Sequence, residues 1–138
     1  MRLISHKVLL FVAFAAICVG PAPVRADHLE MVQVIDADQL KAWIDQGKTM
    51  VLVDARVASE FADSHIPAAI SIPAPIMDRY RDNLPTDPEY PLVFYCNGWP
   101  ECKKSHEASS KAVEWGYRQV YWFQDGLPVW LAKGYPVE

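Results

Sequence analysis

From residue 31 onward two kinds of apolar pattern alternate along the chain. One kind is short and nearly continuous: Met31–Ile35, Met50-Val51-Leu52-Val53, Ala69–Ile72, Leu92-Val93-Phe94-Tyr95 and Val120-Tyr121-Trp122-Phe123. Runs of this length without polar alternation predict strands covered on both faces, as in a parallel sheet sandwiched between helices. The other kind has helical spacing. After Asp36, a capping residue with Gln39 three positions on, Leu40, Trp43 and Ile44 share one face and Gly47 stops the pattern. A brief helical turn is expected at Ser59–Ala62, and a charged surface helix over Ile76–Leu84. Pro85, Asp87, Pro88 and Pro91 then form a rigid connector. From Ser105, Ala108, Ala112 and Trp115 repeat at i, i+4 and i+7, with Gly116 as a left-handed cap. A last helix carrying Val129, Trp130 and Leu131 follows the Asp125-Gly126 turn and ends at Gly134. Strand-helix alternation of this kind predicts one α/β domain with a mainly parallel central sheet flanked by helices. Trp43, Trp115 and Trp130 are expected in its core.

The first 26 residues follow different rules. Arg2 and Lys7 make a basic start, Val8–Val19 an apolar centre, and Val24-Arg25-Ala26 a small-x-small site. This is the pattern of a secretory signal peptide, and its apolar part is shorter than the roughly 20 residues that span a bilayer. Ile17 before Cys18 argues against lipid attachment, which wants a small residue there. Residues 27–138 are therefore expected to form the single mature domain, secreted and periplasmic, with no stable membrane insertion after cleavage. The chain has 13 basic and 17 acidic side chains, and three of the basic ones fall in the leader, so the mature part is distinctly acidic. That excludes nucleic acid and anionic membranes as natural partners. No His/Cys/acid cluster has metal-ligand spacing, so neither metal nor other cofactor is expected.

Candidate chemistry concentrates after the fourth apolar run. Cys96 stands where a strand gives way to Asn97-Gly98, at the end of a parallel sheet where ligand crevices form. A following helix N-terminus would offer amide groups and positive potential that favour thiolate over thiol. Asn97, Gly98, Trp99, Pro100, Glu101, Cys102, Lys103, Lys104 and Ser105 make up the expected binding loop. Its amides from Asn97 to Lys104 would point inward, and Lys103 and Lys104 would gather an anion. Trp99 and Pro100 either wall the pocket or present an apolar tip. His65 is expected to be structural and His106 to be solvated or to line the loop rim.

Val53-Asp54-Ala55-Arg56, Glu60-Phe61, His65-Ile66-Pro67-Ala68-Ala69 and Ile72-Pro73 resemble the first signature of the single-domain rhodanese family. Gly126 to Trp130 with Gly134-Tyr135-Pro136-Val137 is similar to its second, Cys96 stands at its nucleophile position, and Ser105 starts the next helix. The resemblance implies a rhodanese-like fold and a sulfurtransferase. Cys96 would take the outer sulfur of a small anionic donor such as thiosulfate, hold it as a persulfide, and yield it to a thiol, cyanide or protein acceptor. Asp54 and Arg56 would brace the loop from below. The chain departs from the family pattern in three glycine positions, now Ser64, Ala68 and Asp125, which suit these residues only where φ is not positive. Its loop from Cys96 to Lys104 is also longer than the family's, with Lys104 in place of an arginine.

Cys102 has three candidate roles: disulfide partner of Cys96, second thiol that attacks the persulfide and releases sulfide, or spectator. The C-x5-C spacing differs from the C-x-x-C of thioredoxin-like sites. Alternatives to turnover are a sulfur-carrier or binding module and a thiol-disulfide redox protein using Cys96 and Cys102. A phosphatase ranks last, because no arginine lies between Cys96 and Ser105 to grip phosphate in a bidentate fork.

Overall fold

The computed structural model describes residues 31–138. The leader expected over residues 1–26 lies outside the described residues. Five strands, β1 (Val32–Ile35), β2 (Val51–Asp54), β3 (Ala69–Ser71), β4 (Leu92–Tyr95) and β5 (Val120–Phe123), form one sheet in the order β1-β5-β4-β2-β3. Every neighbouring pair is parallel. Four α-helices cover it: α1 (Ala37–Asp45), α2 (Ala58–Asp63), α3 (Lys104–Glu114) and α4 (Gly126–Ala132). The fold is thus the expected α/β sandwich around a parallel sheet.

Successive side chains of a strand point to opposite faces, and on the central strand β4 both faces are buried, while the edge strands β1 and β3 keep exposed residues. Val53, Leu92 and Phe94 meet α3 on one side, with Ala108 and Ala112 as the small residues that let helix and sheet approach closely. Leu52, Val93 and Tyr95 meet α1 and α4 on the other, against Leu40, Leu127 and Trp130. This two-sided burial is why the runs read as unbroken apolar sequence. Helix α1 starts as its sequence predicts, with the Asp36 carboxylate accepting from the Gln39 amide at 2.8 Å.

Three expectations change. The segment Ala74–Asn83 is not an α-helix but 3₁₀ helix broken at Ile76. Only Met77 of it is buried, so no apolar stripe rewards a regular helix, and Pro73 and Pro75 constrain its start. Trp130 is fully buried, but Trp43 and Trp115 are half-buried rim residues rather than core. Trp43 lies edge-on to Tyr121 at 4.9 Å under the Lys48 ammonium, and Trp115 carries the Arg81 guanidinium 5.3 Å from its ring centre. Both sit at the C-terminal ends of their helices, Trp115 as the capping residue of α3. Finally, Ala68 does occupy the left-handed region, at φ 66°, which costs a non-glycine residue about 1–2 kcal/mol. Ser64 and Asp125 have negative φ and carry no such cost.

Candidate active site

Asp54, Tyr95 and Phe123 stand level at the carboxyl ends of β2, β4 and β5. The next residue on the central strand, Cys96, therefore emerges at the crevice edge of the sheet. Its loop is held by main-chain contacts to the β5–α4 turn: Leu127 N–H donates to the Cys96 carbonyl at 2.9 Å, and Trp99 N–H to the Gln124 carbonyl at 2.8 Å. The approach is so close that a Cβ on Gly126 would lie 2.3 Å from the Cys96 oxygen and 2.5 Å from the Gly98 nitrogen. Gly126 also has φ +65°. Gly98 and Gly126 thus dock the Cys96 loop and the β5–α4 turn backbone against backbone.

The Cys96 side chain is fully buried. Its sulfur lies 3.0 Å from the Ser105 hydroxyl and 3.4 Å from the Cys102 carbonyl oxygen, and the Ser105 amide also faces it. The Trp122 indole N–H donates to the same Ser105 oxygen at 2.9 Å. Because an indole N–H can only donate, Ser105 accepts from Trp122 and is free to direct its own proton at the sulfur. Tryptophan, serine and cysteine form a polar line through an otherwise apolar layer.

The expectation of a ready thiolate is corrected by this geometry. Burial pushes the Cys96 thiol above its ordinary value, and the adjoining Cys102 thiol adds to that; the Ser105 hydroxyl and amide pull the other way without prevailing. Two of the amides expected to converge on the sulfur are already engaged, Trp99 N–H with Gln124 and Cys102 N–H with the Gly98 carbonyl at 2.8 Å. The stabilising donors come instead from Ser105, at the start of α3.

Trp122→Phe is therefore expected to raise the Cys96 pKa further, by roughly half to one unit, the worth of one net hydrogen bond. The pH dependence of thiolate absorbance and of alkylation rate measures it. In a Ser105→Ala background the same substitution should add nothing, since the indole acts through the hydroxyl.

Around this centre the other loop residues separate. Asn97 donates its amide to Glu60 on α2, which holds that carboxyl below its usual range. Lys104 lies 3.7 Å from the same carboxylate, so its charge is partly answered within the protein, whereas Lys103 is exposed. Pro100, joined to Trp99 by a cis bond, and Glu101 are exposed. Trp99 is 45% exposed and lies tilted to His106 and edge-on to Trp122, ring centres 5.6 Å away in each case. Its indole and the His106 ring form an aromatic cluster with Trp122, the residue that bonds Ser105. His65 is bound into the scaffold, its Nδ1 2.8 Å from the Phe61 carbonyl and its ring stacked on Phe61.

Below the loop, Arg56 makes a buried two-pronged pair with Asp54, at 2.6 Å through Nη2 and 3.0 Å through Nε, and also reaches the Ser64 carbonyl at 2.6 Å. Cys96 and Cys102 are both free thiols. Among the described residues no group of three or more His, Cys, Asp or Glu side chains is placed to hold a metal, and no helix is long and apolar enough to cross a membrane.

Sequence reasoning missed Trp122, which reads as one more core residue of β5, and the clamp formed by Glu60. An indole N–H in a buried strand has to find an acceptor, and that requirement is the only signal of its role in the sequence.

The family model described as rhodanese-like domain matches residues 36–133. An HTH-type transcriptional regulator of Mycobacterium tuberculosis is 33% identical over 127 residues, covering 83% of this chain and 54% of the regulator, so the chain spans about half the length of that curated relative. Among solved structures, the BH2092 protein of Bacillus halodurans is 27% identical with a TM-score of 0.67, over 80% of this chain and 79% of that one. Thiosulfate sulfurtransferase from Pseudomonas aeruginosa, 20% identical, superimposes with a TM-score of 0.64 over 80% of this chain and 21% of its own, a likeness of fold alone.

Proposed function

The chain belongs to the rhodanese-like domain family, and from that premise we propose that it transfers sulfane sulfur through a persulfide on Cys96. The observation that carries the reading is the Cys96 sulfur at a strand end, met by the hydroxyl and amide of Ser105 at the first turn of α3. In the transfer, a Cys96 thiolate attacks the outer sulfur of thiosulfate or of a low-molecular-weight persulfide; the S–S bond breaks and sulfite or a thiolate departs with the bonding electrons. A thiol or cyanide then removes the bound sulfur. Ser105, oriented by Trp122, supplies the hydrogen bond that favours the anionic sulfur. The leader-like residues 1–26 support action outside the cytosol, in the periplasm.

Complete burial of the sulfur has two consequences. A donor reaches it only when the chain around it gives way, and the same burial disfavours the thiolate. Sulfur loading should therefore accelerate with pH, about tenfold per unit below the thiol pKa. Incubating reduced protein that carries Cys102→Ser, so that no second thiol can remove the sulfur, with thiosulfate or glutathione persulfide is expected to add about 32 Da at Cys96, one persulfide sulfur, as read by intact mass and fragmentation. Absence of any gain from either donor across pH 6–10, in protein whose Cys96 still alkylates, rejects the assignment.

The closed loop also favours a second reading, a carrier that holds the persulfide for a protein acceptor. In that case the adduct forms but added cyanide is not consumed catalytically.

A further inference from the structure

We propose that Cys102 is a second catalytic thiol, which attacks the Cys96 persulfide and releases its outer sulfur as sulfide. The proposal rests on the persulfide reading above and adds the acceptor: a dithiol that lies within the protein and is restored by an external dithiol reductant.

The placement of Cys102 carries the argument. Its neighbours Glu101 and Lys103 are exposed, yet Cys102 is only 9% exposed. The bond from its amide to the Gly98 carbonyl, at 2.8 Å, curls the loop back so that Cys102 faces inward over Cys96. Its carbonyl oxygen sits 3.4 Å from the Cys96 sulfur, and both thiols are free. A disulfide needs Cα atoms within roughly 7 Å, and the Cys102 thiol adjoins the Cys96 thiol. A thiol held there has the advantage of an intramolecular nucleophile over any acceptor that must first open the loop. It also lies beside the sulfur that solvent does not reach.

The step balances without a further reagent. The Cys102 sulfur bonds to Cys96 Sγ, the bond between Cys96 Sγ and the outer sulfur breaks, and that sulfur leaves with the electron pair as HS⁻, taking the thiol proton of Cys102. The sulfane sulfur is reduced by two electrons and the two cysteines are oxidised to a disulfide. An external dithiol then attacks the disulfide, passes through a mixed disulfide, and leaves as its own cyclic disulfide with both protein thiols regenerated. Net turnover converts a sulfane sulfur and a dithiol into sulfide and a disulfide. While it persists, the Cys96–Cys102 bond blocks reloading, so the supply of reducing dithiol sets the pace.

The test uses the fully reduced protein, freed of reductant, with thiosulfate as probe. Wild type is expected to release one sulfide per chain, trapped by a bimane reagent, and to end about 2 Da lighter than the reduced form. Dithiothreitol should then restore the mass and permit a second turnover. Cys102→Ser and Cys102→Ala are expected to keep the 32 Da adduct and to release less than about a tenth as much sulfide. An adduct on wild type that persists as in the variants, with no disulfide, overturns the role of Cys102 and leaves the persulfide reading intact. If wild type and variants all gain no sulfur and form no disulfide, both readings fall together.

Discussion

Cys96→Ser protein is expected to take up no sulfur and to transfer none, with sulfide production from thiosulfate and a dithiol falling by at least about 10³-fold, to background. The reason is chemical rather than steric. A serine oxygen fits the same buried site and can exchange hydrogen bonds with Ser105 and the Cys102 carbonyl, but it cannot carry sulfane sulfur as a persulfide. The variant should accordingly keep its fold, with stability within about 1 kcal/mol of wild type, because no buried polar group is left without a partner. Urea denaturation and sulfide release with dithiothreitol present read the two quantities separately. Transfer retained by folded Cys96→Ser protein would sink the assignment of the nucleophile. Transfer lost together with the fold would show that Cys96 is needed structurally, contrary to the isosteric argument.

Arg56→Ala is expected to produce the largest loss of stability, about 3–5 kcal/mol, the usual consequence of removing one partner of a buried ion pair. Asp54 has no exposed surface, and Arg56 supplies both prongs of its side-chain pairing as well as a main-chain donor, Arg56 N–H, at 2.9 Å. Truncation leaves a carboxylate in the interior with only that amide and the Tyr95 hydroxyl, and strips the Ser64 carbonyl of its guanidinium donor. Replacing both members by apolar residues, Asp54→Leu with Arg56→Met, should recover most of the loss, since two desolvated charges disappear together. Denaturant midpoints of the single and double variants measure this; a single-variant loss under 1 kcal/mol would mean that water reaches Asp54 readily. The site should feel the change as well. Asp54 pairs with Tyr95 across the sheet and Ala55 N–H bonds the Tyr95 carbonyl at 2.9 Å, so loosening the end of β2 loosens the strand end that presents Cys96.

Much of the architecture was legible because burial on both faces of a sheet writes itself directly as apolar runs. Leu92 to Tyr95 and Val120 to Phe123 have no polar position to spare, and the Asp36 cap, the Gly47 stop and the small Ala108 and Ala112 are local signals read locally. The position of Cys96 at a strand end followed from the same patterns. Ala74–Asn83 misled because charged residues with one apolar knob are compatible with several kinds of turn, and only packing chooses among them. The rim tryptophans misled for a related reason: helical spacing says which face a residue occupies, not how completely it is covered there.

By itself, then, the order of residues determined the sandwich of helices on a parallel sheet, the strand end on which Cys96 sits, and the candidate chemistry of two cysteines six positions apart. Tertiary structure alone decided the state of that sulfur. Trp122, Gly126 and Glu60 reach the loop from three different elements, and the meeting of Gly126 with the Cys96 carbonyl is a contact between residues thirty positions apart. Acidity, access and the facing of one thiol to another depend on the sum of such distant contacts, whose distances no local pattern encodes, whereas strands and helices depend on periodicities a few residues long.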